Sequence, residues 1–221
     1  MERPTRILEA AGRLTTRYGF DKTTVDEIAR EAGVSKGAIY LVWPGKDELF
    51  DALIEFEMTK LMLDLRARIV EDEQSDSIAA LYRHTLLSIQ KSPLISALYT
   101  RDGKILGDFV NRQNPERYSK RLLMSKESVA AMQSAGLLRG DLSAEVITYL
   151  FSIMALGFLS ISSVIPTENA PPMNATVEAI AALVESGLTQ PGGNRALIKE
   201  STLQVLDLML AQYENRGINE G

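Results

Sequence analysis

The chain has no cysteine and a single histidine among its 221 residues. That removes disulfides, a thiol nucleophile and a thiolate metal site, and one imidazole cannot build a histidine-based metal centre. No glycine-rich phosphate loop follows a strand, and no strand run is present at all. These absences leave no indicated enzyme chemistry and no expected cofactor or metal. An excess of positive charge is missing too, since 24 Lys and Arg stand against 29 Asp and Glu, a formal net charge of −5. Nucleic-acid binders often carry the opposite sign. The opening stretch "MERPTRILEAAGRL" is charged and amphipathic rather than an apolar leader, so the expected location is cytoplasmic.

Charge is uneven along the chain. Residues 1–50 hold eight basic and eight acidic side chains, so the negative excess lies beyond them. The N-terminal segment is the less repulsive end for a polyanion.

What is present is almost wholly helical in pattern. Ile7, Leu8, Ala11, Leu14 and Tyr18 share one face of a predicted helix over 4–18, opened by Pro4 and closed by Gly19. Thr24-Val25-Asp26-Glu27 has the form of a capping box for a helix over 25–32. Gly33 stops that helix, and Ser35 caps another over 36–42. Pro44-Gly45 interrupts, and a long helix starts near residue 46. Further helices are expected near 76–91, 94–111, 115–136, 143–165, 172–188 and 195–215, separated by proline and glycine breakers. The expected class is all-α. An N-terminal three-helix unit, residues 1–47, is joined by the long helix to a helical domain over 48–221.

Residues 146–165 carry no charge and are long enough to cross a bilayer. Ser and Thr dilute the run and no Lys or Arg closely flanks it, so the expected reading is a helix buried on all sides or in an interface, with no membrane partner. Together with 172–188 it is the expected dimer seam, where Ala155, Gly157, Ala181 and Ala182 would allow close approach. Met58, Met62, Tyr82, Tyr99, Phe109, Met124, Tyr149 and Met154 are candidate lining of an apolar ligand pocket. Each taken alone reads as an ordinary core residue. His84 reads as a surface or hydrogen-bonded core group.

The stretch "TTVDEIAREAGVSKGAIYLVWPGK", residues 23–46, carries the clearest chemistry. Two short helices that cross steeply need a small residue where their backbones meet, and Ala29 supplies it. Four positions on, the turn needs a residue that tolerates positive φ, and Gly33 supplies it. Ile28, Ala32, Val34, Ile39 and Val42 are the apolar positions that would hold the pair on a third helix. This is the pattern of a helix-turn-helix, whose second helix enters a major groove. Ser35, Lys36, Gly37, Ala38, Tyr40 and Leu41 are its outward candidates. Lys36 can meet a phosphate or a guanine edge, and Tyr40 can donate to a phosphate. Thr24 and Lys46 stand at helix N-termini, where phosphate is favoured. A plain helical corner with solvated lysines is the competing reading.

Residues 6–53 resemble the N-terminal domain of TetR-family transcriptional regulators. The likeness rests on Gly19-Phe20 before the capping Thr24, on the run from Ile28 to Gly37, and on the helix start Lys46-Asp47-Glu48-Leu49. It implies a DNA-binding head of three helices and a helical ligand-binding and dimerisation domain. It also implies a homodimer that leaves a palindromic double-stranded DNA operator when a small-molecule inducer binds. Leu41, Val42 and Trp43 depart from the aromatic and histidine residues usual in the family at these places. The departure favours apolar contact with thymine methyl groups over polar contact. The alternative is an all-helical small-molecule-binding or interaction protein with weakened DNA reading.

Overall fold

The computed structural model describes residues 2–109, 126–166, 168, 170–192, 197–204, 206, 207, 210 and 211. Their regular structure is helical apart from one isolated antiparallel bridge between Leu138 and Thr189. In chain order the helices are α1 (Arg3–Tyr18), α2 (Val25–Ala32), α3 (Lys36–Tyr40), α4 (Lys46–Glu71), α5 (Ile78–Lys91), α6 (Pro93–Thr100) and α7 (Gly103–Leu106). Next come α8 (Lys126–Ser134), α9 (Ala144–Ser160), which a 3₁₀ turn at Ile161–Ser163 prolongs, and α10 (Met173–Leu188). Residues 197–204 are helical as well.

The helix expected over 94–111 is two. Arg101 adopts φ 54°, a left-handed cap that closes α6, and the Asp102 carboxylate accepts from the Lys104 amide to open α7. The helix expected over 36–42 stops at Tyr40. Parts of those expected over 94–111, 115–136 and 195–215 lie outside the described residues.

Among these residues two compact units separate. The first takes residues 2–61, 92–109, 210 and 211, and the second takes 62–91 and the described residues between 126 and 207. Compactness thus divides the chain differently from a simple cut after residue 47.

In the first unit, α1 buries Ile7, Leu8, Ala10, Ala11 and Thr15. Tyr18 is exposed rather than on the apolar face, and Thr15 holds the inward place. Leu49, Phe50, Leu53 and Ile54 of α4 complete this core. Phe20, Phe50 and Phe109 form a buried cluster with ring centroids 4.4 to 5.2 Å apart. The turn after α1 is held on the α7 segment. The Phe20 amide donates to the Ile105 carbonyl over 2.8 Å, and the Asp21 carboxylate accepts from the Asp108 amide at 3.2 Å. Two glycines permit this approach. A Cβ on Gly19 (φ 87°) would lie 2.4 Å from the Lys104 carbonyl oxygen, and one on Gly107 (φ 52°) would lie 2.2 Å from the Asp21 carboxylate.

In the second unit, Ile78, Tyr82 and Leu86 of α5 join Ile147 and Phe151 of α9 and Val184 and Leu188 of α10 in one core. The Tyr82 hydroxyl donates to the Phe151 carbonyl at 2.7 Å, which satisfies it without water. Asp64 accepts from Arg68, Ser88 and Lys91 at 2.7 to 2.8 Å. Burial opposes its ionisation, yet these three donors hold its pKa down to about 2. His84 is buried, with Nε2 2.8 Å from the Asp72 carboxylate and 3.1 Å from the Ser75 hydroxyl. It is a core group, one of the two readings its sequence context allowed.

Helix α9 is apolar on two faces. Ala144, Ile147, Phe151 and Ala155 point into the core, while Val146, Tyr149, Ile153 and Leu156 are exposed. The buried-core expectation for this run therefore holds on one face, while the other face is exposed in the single chain. Two of the small residues expected to allow close helix approach, Ala155 and Ala181, are buried within the single chain. Among the described residues no helix is long and apolar enough to cross a membrane.

Candidate nucleic-acid interface

The reading head is built by local rules. Thr24 caps α2: its hydroxyl accepts from the Glu27 amide at 3.2 Å, and the Glu27 carboxylate accepts from the Thr24 amide at 2.9 Å. The Thr24 hydroxyl, which also donates to the Glu27 carboxylate at 2.8 Å, and then the Thr24 amide hold the Glu27 carboxyl below its ordinary pKa. A cap of this kind contributes about 1 kcal/mol. Ile28, Ala29 and Ala32 face inward, and Gly33 takes the left-handed conformation at φ 66°. The Val34 amide donates to the Ala29 carbonyl at 3.0 Å, so the chain turns sharply over the small residue.

Ser35 then caps α3, accepting from the Ala38 amide at 3.2 Å. Ile39 is buried and anchors the helix, while Ser35, Lys36, Gly37, Tyr40 and Leu41 are exposed and Ala38 is half-buried. Val42 was expected to pack and does not; it is 45% exposed. Trp43 is half-buried.

The two lysines are both engaged. Lys36 Nζ lies 2.7 Å from Asp26 of α2, which raises the lysine pKa. Such an exposed pair contributes at most about 1 kcal/mol and yields readily to a phosphate. Lys46 Nζ donates to the Phe20 carbonyl at 2.5 Å and lies 4.1 Å from the centroid of the Phe20 ring. It braces the turn between α1 and α2. The spacing of Asp26 and Lys36, ten residues apart across a turn, gave no periodic signal in the sequence. Arg13 and Glu31 form another exposed bridge, linking α1 to α2 at 3.1 Å.

The described candidate pocket residues divide between the two units. Met58 and Phe109 are core residues of the first unit, and Met62 and Tyr82 of the second. Tyr99 is half-buried in the first unit, with its phenol pushed to higher pKa by burial. Met154 packs against the second core. Tyr149 is 70% exposed. Met124 lies outside the described residues. The second unit has a cavity of about 330 Å³ beside Ser77, Leu137, Thr189 and Ile198 and a cleft of about 460 Å³ beside Asp76, Arg83 and Glu178. Neither is lined by any of the eight. Among the described residues no cluster of His, Asp or Glu could hold a metal ion.

A capped helix pair turning over Ala29 and Gly33, with the second helix uncovered, defines a helix-turn-helix protein. Residues 7–53 match the family model of bacterial regulatory proteins of the tetR family. The nucleoid occlusion factor SlmA of Glaesserella parasuis is 32% identical over 101 residues, 45% of this chain and 50% of that protein. YhgD of Bacillus subtilis, described as an HTH-type transcriptional regulator, is 37% identical over 71 residues, 32% of this chain and 35% of that protein. The matched region thus spans half or less of each relative's length. AibR in complex with isovaleryl coenzyme A and operator DNA shares the fold at a TM-score of 0.55 and 19% identity, over 82% of this chain and 97% of that one. Residues 7–53 are thus similar to the DNA-binding region of the tetR family of bacterial regulatory proteins, and the chain shares its all-helical fold with solved regulators.

Proposed function

We propose that this protein is a ligand-responsive repressor. It binds a palindromic operator in double-stranded DNA as a homodimer, and a small-molecule inducer releases it. The observation that carries this reading is α3: anchored by Ile39, capped by Ser35, and otherwise facing outward. In the reading proposed, Ser35, Lys36, Gly37, Ala38, Tyr40 and Leu41 meet the groove and its phosphates. Thr24 supplies a capped helix N-terminus for one more phosphate. Lys46 contributes by fixing the turn at Phe20 as well as by its charge. Acting on DNA, the protein works in the cytoplasm.

Dimerisation follows from symmetry, since half-sites of an operator mirror the twofold axis of their reader. The exposed stripe of Val146, Tyr149, Ile153 and Leu156 on α9, with Leu183 on α10, supports a seam there. AibR, which shares the fold, is in complex with both isovaleryl coenzyme A and operator DNA, and this supports a small-molecule ligand as well as DNA for this chain. Met62, Tyr82 and Met154 are the proposed lining. Induction is then linkage: a ligand that prefers the DNA-incompetent dimer weakens DNA by the same coupling, typically 1–3 kcal/mol.

Selection of bound duplexes from a genomic pool, at low and raised salt, tests the reading. A single palindromic site with affinity falling steeply in salt is expected, because each neutralised phosphate releases counterions. Folded protein that enriches no duplex would refute it and favour a ligand-binding protein with weakened DNA reading.

A further inference from the structure

Helix α3 offers a groove few hydrogen-bonding side chains. In the free chain Lys36 pairs with Asp26, the Ser35 hydroxyl accepts from the Ala38 amide, and Gly37 has only backbone. What stands out beyond them is apolar. Leu41 is 87% exposed, and Tyr40 and Val42 beside it are 44% and 45% exposed. Leu41 is not loose: its φ and ψ are helical, and its amide donates to the Gly37 carbonyl at 3.1 Å. At 100° per residue it points opposite the buried Ile39 and lies one turn above Gly37 on the same face. A Cβ built on Gly37 would meet nothing nearer than the Ser35 hydroxyl at 3.9 Å, so the surface below Leu41 is open. A helix bare at one position and apolar a turn later can approach base edges closely and meet them with hydrocarbon.

We infer that Leu41 is a specificity-determining residue that reads the C5 methyl group of a thymine in the operator major groove. The inference rests on the DNA-binding reading above and names part of its code. Thymine is the base that carries an apolar group in that groove. Leu41 discriminates by covering that methyl, while phosphate contacts supply affinity common to all sequences.

The test uses the full-length chain and the operator recovered by selection, with each thymine replaced in turn by deoxyuridine, which lacks only the methyl. The wild-type chain is expected to lose roughly fourfold in affinity at one thymine per half-site, the worth of one buried methyl-sized group. Leu41→Ala is expected to bind the thymine and uracil operators equally, whereas Val42→Ala keeps the preference. Both substitutions lie at exposed positions, and equal thermal midpoints would show that the fold is intact. Indifference of the wild-type chain to uracil at every position overturns the inference while leaving DNA binding in place. So does a Leu41→Ala variant that retains the thymine preference. Failure to select any duplex overturns the DNA-binding reading, and this inference with it.

Discussion

Helices α3 and α9 both leave apolar side chains uncovered, and the difference between them shows what each is suited to meet. On α3 the exposed group is local: Leu41 and its neighbours, close to a lysine, a serine cap and a bare glycine. On α9 Val146, Tyr149, Ile153 and Leu156 run along three turns at spacings of three and four residues. Spacings of three and four residues keep side chains on one helix face, so this stripe matches another helix of the same kind. A patch of a few residues beside charge matches a polar surface with isolated apolar groups, such as a base edge. The inner face of α9, with Ile147 and Phe151 in the core, keeps its outer stripe in fixed register.

Breaking the larger face should have the larger effect. Ile153→Asp places a charge in the proposed seam while altering an exposed side chain. It is expected to yield a monomer by light scattering with an unchanged helical spectrum. Loss of the second reading head then lowers operator affinity on the order of 100-fold or more, because linked sites gain through effective concentration. A variant that remains dimeric would move the seam away from α9. The scaffolding of the first unit can be perturbed at two separate glycines. Gly107→Ala meets both positive φ and the Asp21 carboxylate, and it should cost about 1–3 kcal/mol in chemical denaturation. Gly33→Ala has open space around it and should cost only about 1 kcal/mol. Equal costs would show that the docking of Asp21 on Gly107 contributes nothing.

This contrast also explains what the sequence could and could not disclose. Thr24, Glu27, Ala29, Gly33 and Ser35 act on neighbours within five residues, so their roles follow from spacing alone. The inward Ile28 and Ile39 are legible for the same reason. The pocket residues were not, because Met and aromatic side chains serve core and cavity equally, and three-dimensional neighbours decide which. Phe109 illustrates this: it fills a cluster with Phe20 and Phe50, residues far away in sequence. The outward place of Tyr149 is not legible in the sequence, because a helix apolar on two faces gives periodicity no way to choose the inner one. The break at Arg101 is not legible in the sequence, because arginine carries no preference for the left-handed conformation it adopts there.

Acid should weaken the second unit in two stages, sharpening its difference from the reading head. Burial pushes the His84 pKa down, the Asp72 carboxylate pulls it up, and the Arg83 guanidinium pushes it down again; the net shift is downward. A histidine held neutral in the fold contributes fully above its unfolded value of roughly 6.5 and loses that contribution as pH falls below it. Asp72 follows. Burial opposes its ionisation, but the Gln74 amide, His84, Ser75 and Arg83 hold its pKa at about 2. Its contribution is present above roughly pH 3.9 and fades as pH falls towards 2. Denaturation midpoints measured between pH 7 and 5 should decline for the wild-type chain and flatten in His84→Gln. An unchanged slope in that variant would assign the decline to other groups.

The smallest expected effect is at Asp26, and it bears on how the reading head handles charge. The carboxylate lies 2.7 Å from Lys36 Nζ, with both side chains about half exposed, so the pair adds little to stability. Any phosphate that Lys36 meets must compete with it. Asp26→Asn keeps the shape of the side chain and removes the competitor. Stability should change by less than about 1 kcal/mol. Operator affinity should rise a few-fold, about the same on every sequence, because a phosphate contact carries no base information. The slope of log affinity against log salt should steepen by roughly one unit if Lys36 then neutralises one more phosphate. If affinity rises on the selected operator alone, Lys36 reads a base edge rather than the backbone. If it falls, Asp26 is needed to aim Lys36, and the ion pair belongs to the bound state as well as the free one.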